Sequence, residues 1–440
     1  MEIKDRYTLK DKLKAMGPGI LVVGSFIGPG TVTSATKAGA GYGYALLWTV
    51  VFSVIAVIVM QEMAARLGIV TQNGLAEELV KDLSDRPPLK WLMVALVAAA
   101  ITLGGFAYMG GDLTGTAIGL SAITGIPSNI IAPIWGCCIL VIINIGDAVK
   151  SLEKLLSVCV SVMAIVFVVT MIVVKPDLGT VFSGALPSVP EGSIMTCVSL
   201  IGTTVVPYNM FIHATSSRKT WHDPKQLPLA RFDTTVSMII GGLITGSVMI
   251  TAGTVMRGME VNSAIDMAVQ LEPTLGSFSV PFLAMGLIAA GISSAVITPL
   301  GVSYVLAGLF GWEMNKKDKR FFWTNIAVVV AGIIVAATGF NPIWIIMTAQ
   351  AVNGIFLPII VFTLVYVTSR SRVMGQYKNS MIQNVLGAAV FLISLVIGIN
   401  SLTSLFLSKG MASSVRRSPV RDRRTFQFYR HDGQAPRHRI

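Results

Sequence analysis

The sequence predicts an all-α integral membrane protein built from two structural repeats of opposite orientation. Hydrophobic residues make up 53% of its 440 positions and charged residues only 13%, whereas soluble domains contain about a quarter charged residues. Apolar stretches of about 20 residues, the length that crosses a bilayer as a helix, recur along most of the chain. Two of these stretches, five stretches apart, are broken near their centres by a proline.

The apolar stretches predict eleven membrane spans. They cover residues 18–40, 44–65, 91–122, 128–146, 152–174, 193–215, 234–257, 278–310, 322–340, 342–368 and 382–407. The third and eighth are long, so we expect them to tilt or to extend beyond the bilayer.

The spans divide the chain into three parts. We expect a short N-terminal segment over residues 1–15, a membrane domain over residues 16–410 and a basic tail over residues 411–440. The tail is rich in Arg and has no periodic apolar pattern, which is typical of a disordered segment. A surface-binding arm is the alternative interpretation of this tail.

The positions of Lys and Arg predict the side that each loop faces. With a cytoplasmic N-terminus, the cytoplasmic segments contain nearly all basic residues before the tail, and the outer loops contain only Lys175 and Arg257. Such a bias is typical of multi-pass membrane proteins. We therefore expect a protein of the cell membrane with its N-terminus in the cytoplasm. The net charge of +12 then reflects loops facing anionic lipid, and no nucleic-acid partner is needed to explain it.

The first span is interrupted at its centre by Gly28-Pro29-Gly30-Thr31. Proline removes a backbone N–H donor, and glycine loosens the helical turn. Freed backbone groups need partners in hydrocarbon, so a broken helix persists only where it lines a cavity enclosed by protein. The break therefore predicts a substrate site of the kind found in secondary transporters.

The sixth span contains a second break, centred on Pro207. The sixth span comes five spans after the first, and an odd offset reverses the direction in which the chain crosses the membrane. Two five-span units, roughly 16–175 and 193–368, would therefore have inverted orientations. The eleventh span lies outside this repeat. Matched broken segments in two such halves indicate a transport site, although simple proline kinks in packed helices are the alternative. Four polar residues flank the proline: Thr203, Thr204, Tyr208 and Asn209.

These residues resemble motifs of the natural resistance-associated macrophage protein (NRAMP) family over about residues 16–405. The matching runs are residues 17–21, 28–30, 38–44, 46–48, 64–71, 115–120, 125–127, 205–209 through His213, 290–294, and Gln350. The resemblance implies a LeuT-like fold with two inverted five-helix repeats and an eleventh helix. It also implies import of divalent transition metals, generally coupled to protons.

The chain departs from the family pattern at the positions that bind metal. The first-span family motif is Asp-Pro-Gly-Asn, and its Asp and Asn bind the metal, whereas Gly28 and Thr31 occupy those positions here. In the sixth span the family offers an Ala carbonyl and a Met thioether followed by Pro-His. The matching residues here are Thr203, Val206, Pro207 and Tyr208.

The family's proton route is altered too. The resemblance assigns Asp112 to one of two acidic positions in the third span, and Met109 occupies the other. A basic residue of the ninth span is replaced by Thr324 or Trp323. Asp112 and His213 are therefore our proton-route candidates, since ionisable residues inside a membrane are usually functional. Structural roles, as a capped or hydrogen-bonded packing residue, are the alternatives for both.

The altered site offers hard, uncharged ligands. Without the thioether at Val206, no soft ligand favours transition metals over Ca²⁺ and Mg²⁺. Hydrated Mg²⁺ keeps several waters and needs few protein ligands. Thr31 and Thr203 are weak candidates for metal contact, through a hydroxyl or a backbone carbonyl. The predicted substrate-binding residues are Gly28, Thr31, Thr203, Val206, Tyr208, Asn209 and Gln350, beside the helix-breaking Pro29, Gly30 and Pro207.

Three functions fit the sequence. The first is a secondary transporter of a divalent metal cation, Mg²⁺-like or Mn²⁺, with proton coupling as a further possibility. The second is a same-fold transporter of a small organic solute such as an amino acid, which the opposed dipoles of the broken helices would suit. The third is a non-transporting membrane sensor. No enzyme motif or phosphate-binding loop is visible, so we expect no enzymatic activity and no cofactor. We also expect a monomer in the lipid bilayer.

Overall fold

The computed structural model describes residues 7–144, 148–315 and 317–415. Within these residues the regular structure is entirely helical, with nineteen α-helices and short 3₁₀ turns. The helices are α1 (Leu9–Lys14), α2 (Pro18–Phe26), α3 (Pro29–Tyr42), α4 (Leu47–Thr71), α5 (Leu75–Asp82), α6 (Pro87–Thr124), α7 (Ser128–Ile142), α8 (Ala148–Val173), α9 (Leu178–Ser183), α10 (Ile194–Thr204), α11 (Pro207–Thr220), α12 (Leu227–Val255), α13 (Ala264–Ala268), α14 (Glu272–Leu275), α15 (Ser279–Phe310), α16 (Lys319–Ala336), α17 (Pro342–Ser369), α18 (Ser371–Met374) and α19 (Met381–Val415).

These helices correspond to the predicted spans. Within the described residues, nine helical segments are long and apolar enough to cross a membrane, and the bent pair α2 and α3 makes a tenth. The predicted span 128–146 contains α7, which is apolar but only 15 residues long, less than the ~20 residues of an average crossing. The long third and eighth spans are confirmed as α6, with 38 residues, and α15, with 32 residues.

The core of the molecule surrounds α6. Helix α6 packs along α15, α16 and α17, while α12 packs along α3 and α4. Glycines on α6 allow close approach, because a Cβ atom at Gly115 would lie only 2.1 Å from Cβ of Pro29. Large apolar side chains such as Trp91, Ile134 and Ile172 remain exposed on the outside, as expected for a surface that contacts lipid. The first helix break therefore lies against α6.

The chain divides into two compact units, residues Met1–Ser401 and Leu402–Ile440. The first contains the helices from α1 to most of α19. In the second, the structure describes only the end of α19, which continues through the predicted tail boundary at 411 and ends at Val415. The Arg-rich sequence begins at Arg416, and residues 416–440 of the predicted tail lie outside the described residues.

Candidate functional site

The first and sixth predicted spans break with the same local geometry. A two-residue linker separates α2 from α3, and another separates α10 from α11. The first linker residue, Ile27, has φ −78° and ψ 74°, and its counterpart Val205 has φ −98° and ψ 69°. A proline, Pro29 or Pro207, then begins the next helix, where its missing N–H costs no hydrogen bond.

This equivalence pairs Gly28 with Val206 as the second linker residues. Both have extended backbone, with φ −117° and ψ −174° at Gly28 and φ −73° and ψ 122° at Val206. Each linker frees carbonyls of the preceding helix and N–H groups of the following one. The two breaks therefore provide both backbone carbonyl acceptors and backbone N–H donors for a bound substrate.

Hydroxyl groups join the two broken spans. The Thr31 and Thr203 Oγ1 atoms are 2.8 Å apart, and one turn away the Oγ atoms of Ser34 and Ser199 are 2.6 Å apart. All four side chains are buried. The structure thus brings together Thr31 and Thr203, which the sequence analysis selected from separate halves of the chain.

Gln350 of α17 lies between the breaks. A Cβ atom at Gly30 would lie 2.1 Å from Gln350 Nε2, and one at Gly202 would lie 2.0 Å from the Gln350 carbonyl oxygen. The Gln350 side chain is fully buried, and neither its Oε1 nor its Nε2 has a hydrogen-bond partner among the described residues. The amide of Asn209 is in the same situation. Buried polar groups are normally paired, so both amides are suited to bind a substrate or its water.

A Cβ atom at Gly28 would not collide with its neighbours. A Cβ atom at Gly28 would meet nothing closer than Ser294 of α15, at 3.8 Å, which is ordinary van der Waals contact. Gly28 therefore differs from Gly30 and Gly202, where a side chain would collide with Gln350. Gly28 can therefore accept at least a methyl group without collision, so close helix packing does not require glycine at this position.

Asp112 is connected to this space through α15. Ser294 Oγ and Thr298 Oγ1 donate hydrogen bonds of 2.8 and 3.0 Å to Asp112 Oδ2. Thr298 Oγ1 is also 3.2 Å from the Tyr208 hydroxyl. A carboxylate, two hydroxyls and a phenol from three helices thus form one buried network next to the breaks.

Tyr108, Ser294 and Thr298 were not among the predicted site residues. The rings of Tyr108 and Tyr208 meet edge to face, with centroids 5.9 Å apart, and the Tyr108 hydroxyl lies near Thr203 and Ser294. Hydroxyl residues in apolar helices usually bond to their own helix, so their presence alone is a weak signal. The spacing of four between Ser294 and Thr298 does place both on one helix face, and this was the available clue.

His213 belongs to a different contact. Its Nδ1 atom lies 2.9 Å from Oε1 of Gln61 on α4, and its Nε2 has no hydrogen-bond partner among the described residues. The hydrogen-bonding partners of Asp112 are on α15 instead. No described residue bonds to both proton-route candidates, so the structure brings only Asp112 into the network beside the breaks.

The other family positions have structural contacts. Met109 packs against α16, where a Cβ atom at Gly332 would lie 2.4 Å from its Cγ. Trp323 is exposed, and the Thr324 hydroxyl bonds to the carbonyl of Arg320 on its own helix. The contact between α6 and α16 at Met109 is therefore apolar.

The described residues contain no cluster of three or more His, Cys, Asp or Glu side chains that could hold a metal ion. A cation at the breaks would meet hydroxyls, amides, backbone carbonyls and water. Such oxygen ligands suit hard ions such as Mg²⁺, Mn²⁺ and Ca²⁺ better than soft ones.

Comparison with known proteins identifies relatives over nearly the whole chain. Residues 19–404 match the model of the natural resistance-associated macrophage protein-like family. The divalent metal cation transporter MntH of Aeromonas hydrophila subsp. hydrophila is 27% identical over 408 residues, which cover 89% of this chain and 95% of that protein. A natural resistance-associated macrophage protein 2 homolog of Dictyostelium discoideum is 24% identical, over 91% of this chain and 64% of that protein.

A solved structure shows the same fold. The Eremococcus coleocola manganese transporter, crystallised with an aromatic bis-isothiourea substituted compound, matches with a TM-score of 0.74 and 21% identity, over 91% of this chain and 88% of that chain. This likeness confirms the predicted LeuT-like fold of a multi-pass membrane protein. Together with the match of the family model to residues 19–404, it supports one conclusion: the chain belongs to the natural resistance-associated macrophage protein family of transporters.

Proposed function

We propose that this chain is a secondary transporter that carries a divalent metal cation, Mg²⁺ or Mn²⁺, through the site between its two helix breaks. The observation that carries the proposal is the contact of Thr31 with Thr203, 2.8 Å between hydroxyl oxygens, which joins the broken spans next to the unpaired amide of Gln350. Breaks of this kind bind substrate in secondary transporters. The names of the relatives support a divalent metal cation as the substrate.

The residues at the site favour a hard cation that keeps part of its water. Removing a divalent ion from water is costly unless ligands and charge compensate it. The broken spans supply Thr31, Thr203, Asn209 and backbone carbonyls, and α17 supplies Gln350. Val206 has no thioether sulfur. Mg²⁺ dehydrates reluctantly and usually retains several waters, so hydroxyls and amides would hold it through those waters. We therefore place Mg²⁺ ahead of Mn²⁺ as the cation carried.

Proton coupling is a second proposal that is tested separately. Asp112 is part of the hydroxyl network beside the breaks, whereas His213 bonds to Gln61. We assign any coupled proton to Asp112 on this ground. An inward proton gradient should then accelerate cation uptake into proteoliposomes, and equal rates with and without the gradient would exclude coupling.

The transport proposal also implies an orientation and an assembly. The bias of Lys and Arg toward alternate loops supports a cytoplasmic N-terminus. The substrate path lies within one chain, so a monomer in the bilayer is sufficient. Transport by this route requires no cofactor and no enzymatic step.

An uptake panel in proteoliposomes tests the cation proposal. We expect uptake of Mg²⁺ and Mn²⁺ and none of amino acids. Thr203→Val keeps the side-chain volume but removes the hydroxyl that meets Thr31, so it should lower cation uptake about tenfold, the effect of losing roughly 1.4 kcal/mol of binding.

A matched control is Thr245→Val. Thr245 is also buried in an apolar helix, but its hydroxyl bonds to the Gly241 carbonyl of the same helix and not to a residue of either break. Uptake by this variant should equal that of the unaltered protein. Amino-acid uptake without cation flux would favour the organic-solute alternative, and binding of a cation without any flux would favour a sensor.

A further inference from the structure

The hydroxyl group of Ser294 lies between Asp112 and the position of a side chain at Gly28. Ser294 Oγ lies 3.8 Å from the position of a Cβ atom at Gly28 and 2.8 Å from Asp112 Oδ2. On the other side of the cluster, Gln350 Nε2 lies 3.7 Å from a Cβ atom at Gly111, the residue before Asp112. Helix α6 therefore approaches Gln350 at Gly111, and the next residue, Asp112, contacts Ser294 beside Gly28.

Two hydroxyls hold the Asp112 carboxylate in place. Ser294 and Thr298, one helical turn apart on α15, both donate to Oδ2, and no described residue donates a hydrogen bond to Oδ1. Hydrogen bonds from hydroxyls stabilise negative charge on a carboxylate. This arrangement fixes one oxygen and leaves the other for a cation or for water in its hydration shell.

The other buried carboxylates of the described residues are engaged elsewhere. Glu78 of α5 bonds to Asn73 and Lys81, and Asp233 of α12 bonds to the backbone at the start of α2. A divalent ion among uncharged ligands inside a membrane needs a nearby negative charge. Asp112 is the buried carboxylate positioned to provide it.

We propose that Asp112, held by Ser294 and Thr298, supplies the negative charge that compensates the cation, and that the cation passes between this carboxylate and the linker at Gly28. The proposal rests on the proposed cation transport and deepens it. It gives Asp112 a role in binding that is separate from any proton transfer. It also makes Ser294 and Thr298 positioning residues for the cation site.

The test moves the charge across the site. Asp112→Asn removes the carboxylate, and Gly28→Asp returns one at the first break, where a Cβ atom would be in ordinary contact with Ser294. Equilibrium binding of Mg²⁺ and Mn²⁺ to the purified full-length protein is measured by calorimetry in detergent. Because no gradient is present, the experiment measures cation binding and not gradient-driven transport.

We expect Asp112→Asn to weaken Mg²⁺ binding about tenfold or more. Adding Gly28→Asp to this variant should restore affinity to within about threefold of the unaltered protein, since one carboxylate again faces the cation. Ser294→Ala and Thr298→Val, which each remove one donor, should weaken binding about two- to fivefold. Glu78→Gln, a buried carboxylate outside the site, should not alter binding.

Three results are decisive against parts of this scheme. If Asp112→Asn binds Mg²⁺ as tightly as the unaltered protein, Asp112 does not compensate the cation. If the double variant has the unaltered melting temperature but no recovered affinity, the cation does not pass between residues 28 and 112. If the unaltered protein binds neither Mg²⁺ nor Mn²⁺, the proposed function itself fails, and this inference fails with it.

Discussion

The two broken spans share a backbone geometry but differ in how they are held. The first span bends by 61° between its halves, and within the described residues it is the only broken pair bent by more than 40°. The sixth span bends by less than 40° at its break, and 89% of its most apolar stretch is buried. The two breaks therefore share a linker geometry but differ in the angle between their half-helices.

The contacts of the two leading half-helices explain this difference. Helix α10 is wedged against α3, α4 and α17, and Gly202 allows its backbone to touch that of α17. Helix α2 contacts α11, α12 and α15, and its first turn is fastened by Asp233. The Asp233 carboxylate accepts hydrogen bonds from the Gly17 and Gly19 N–H groups, at 3.1 and 2.6 Å. We infer that the first break moves during transport while the sixth stays fixed.

The largest expected effect comes from crowding the fixed break with Gly202→Ala. Its Cβ atom would lie 2.0 Å from the Gln350 carbonyl oxygen and 2.9 Å from the Gly354 nitrogen. Both contacts are to backbone, which cannot rotate away, so overpacking should cost about 1–3 kcal/mol or more. Thermal unfolding followed by intrinsic fluorescence should show a clearly lower Tm. An unchanged Tm would show that α10 and α17 can separate, and the sixth break would not be rigid.

A smaller and more local effect is expected from releasing the mobile break with Asp233→Asn. The amide keeps one acceptor but loses the charge that interacts with two N–H groups and the positive end of the α2 dipole. Hydrogen bonds to charged groups contribute about 1.5–3 kcal/mol, so amide exchange over residues 17–24 should accelerate at least about tenfold.

Residues 194–204 of the sixth span provide the internal reference for this experiment. Their exchange should stay unchanged in Asp233→Asn. Asp266→Asn removes the charge of the carboxylate that accepts a hydrogen bond from the Ser263 N–H at the start of the short helix α13, and this control should leave both breaks unaffected. Equal acceleration at both breaks would contradict the division into a mobile and a fixed half.

The smallest effect is expected from Gly28→Ala. The added methyl group would contact only Ser294, at 3.8 Å, and the φ of −117° at this position suits any residue. Stability should therefore change by less than about 0.5 kcal/mol, in contrast to Gly202→Ala. Cation uptake should fall by a few-fold at most, because the methyl group occupies part of the proposed path. A large loss of Tm would mean that Gly28 is required for packing after all.

The sequence predicted most of the architecture and part of the site. Proline and glycine in the middle of apolar spans located both breaks, and the odd spacing of spans one and six gave the inverted relation. Thr31 and Thr203, both predicted to belong to one site, are in contact in the structure. The pairing of Asp112 with Ser294 and Thr298 was not predicted, because hydroxyl residues in apolar helices are a weak signal and nothing in the sequence shows which faces of α6 and α15 meet.

Two groups of residues show what the sequence could not predict. The sequence presents Gly28, Gly30 and Gly202 as similar small residues near breaks. Only the tertiary structure shows that a Cβ atom is tolerated at Gly28 but would collide with Gln350 at Gly30 and Gly202. His213 and Asp112 were grouped as one proton route, yet their hydrogen bonds connect them to different helices.

By itself the sequence determined that this protein crosses a membrane many times and that two of its helices break inside it. Those properties follow from local causes, since apolar length sets a span and proline removes a backbone donor. Tertiary structure alone decided which break is fastened by one carboxylate, which is wedged by backbone contact, and which hydroxyls surround Asp112. These depend on how distant helices pack, and side-chain packing across a bundle leaves no periodic trace in the chain.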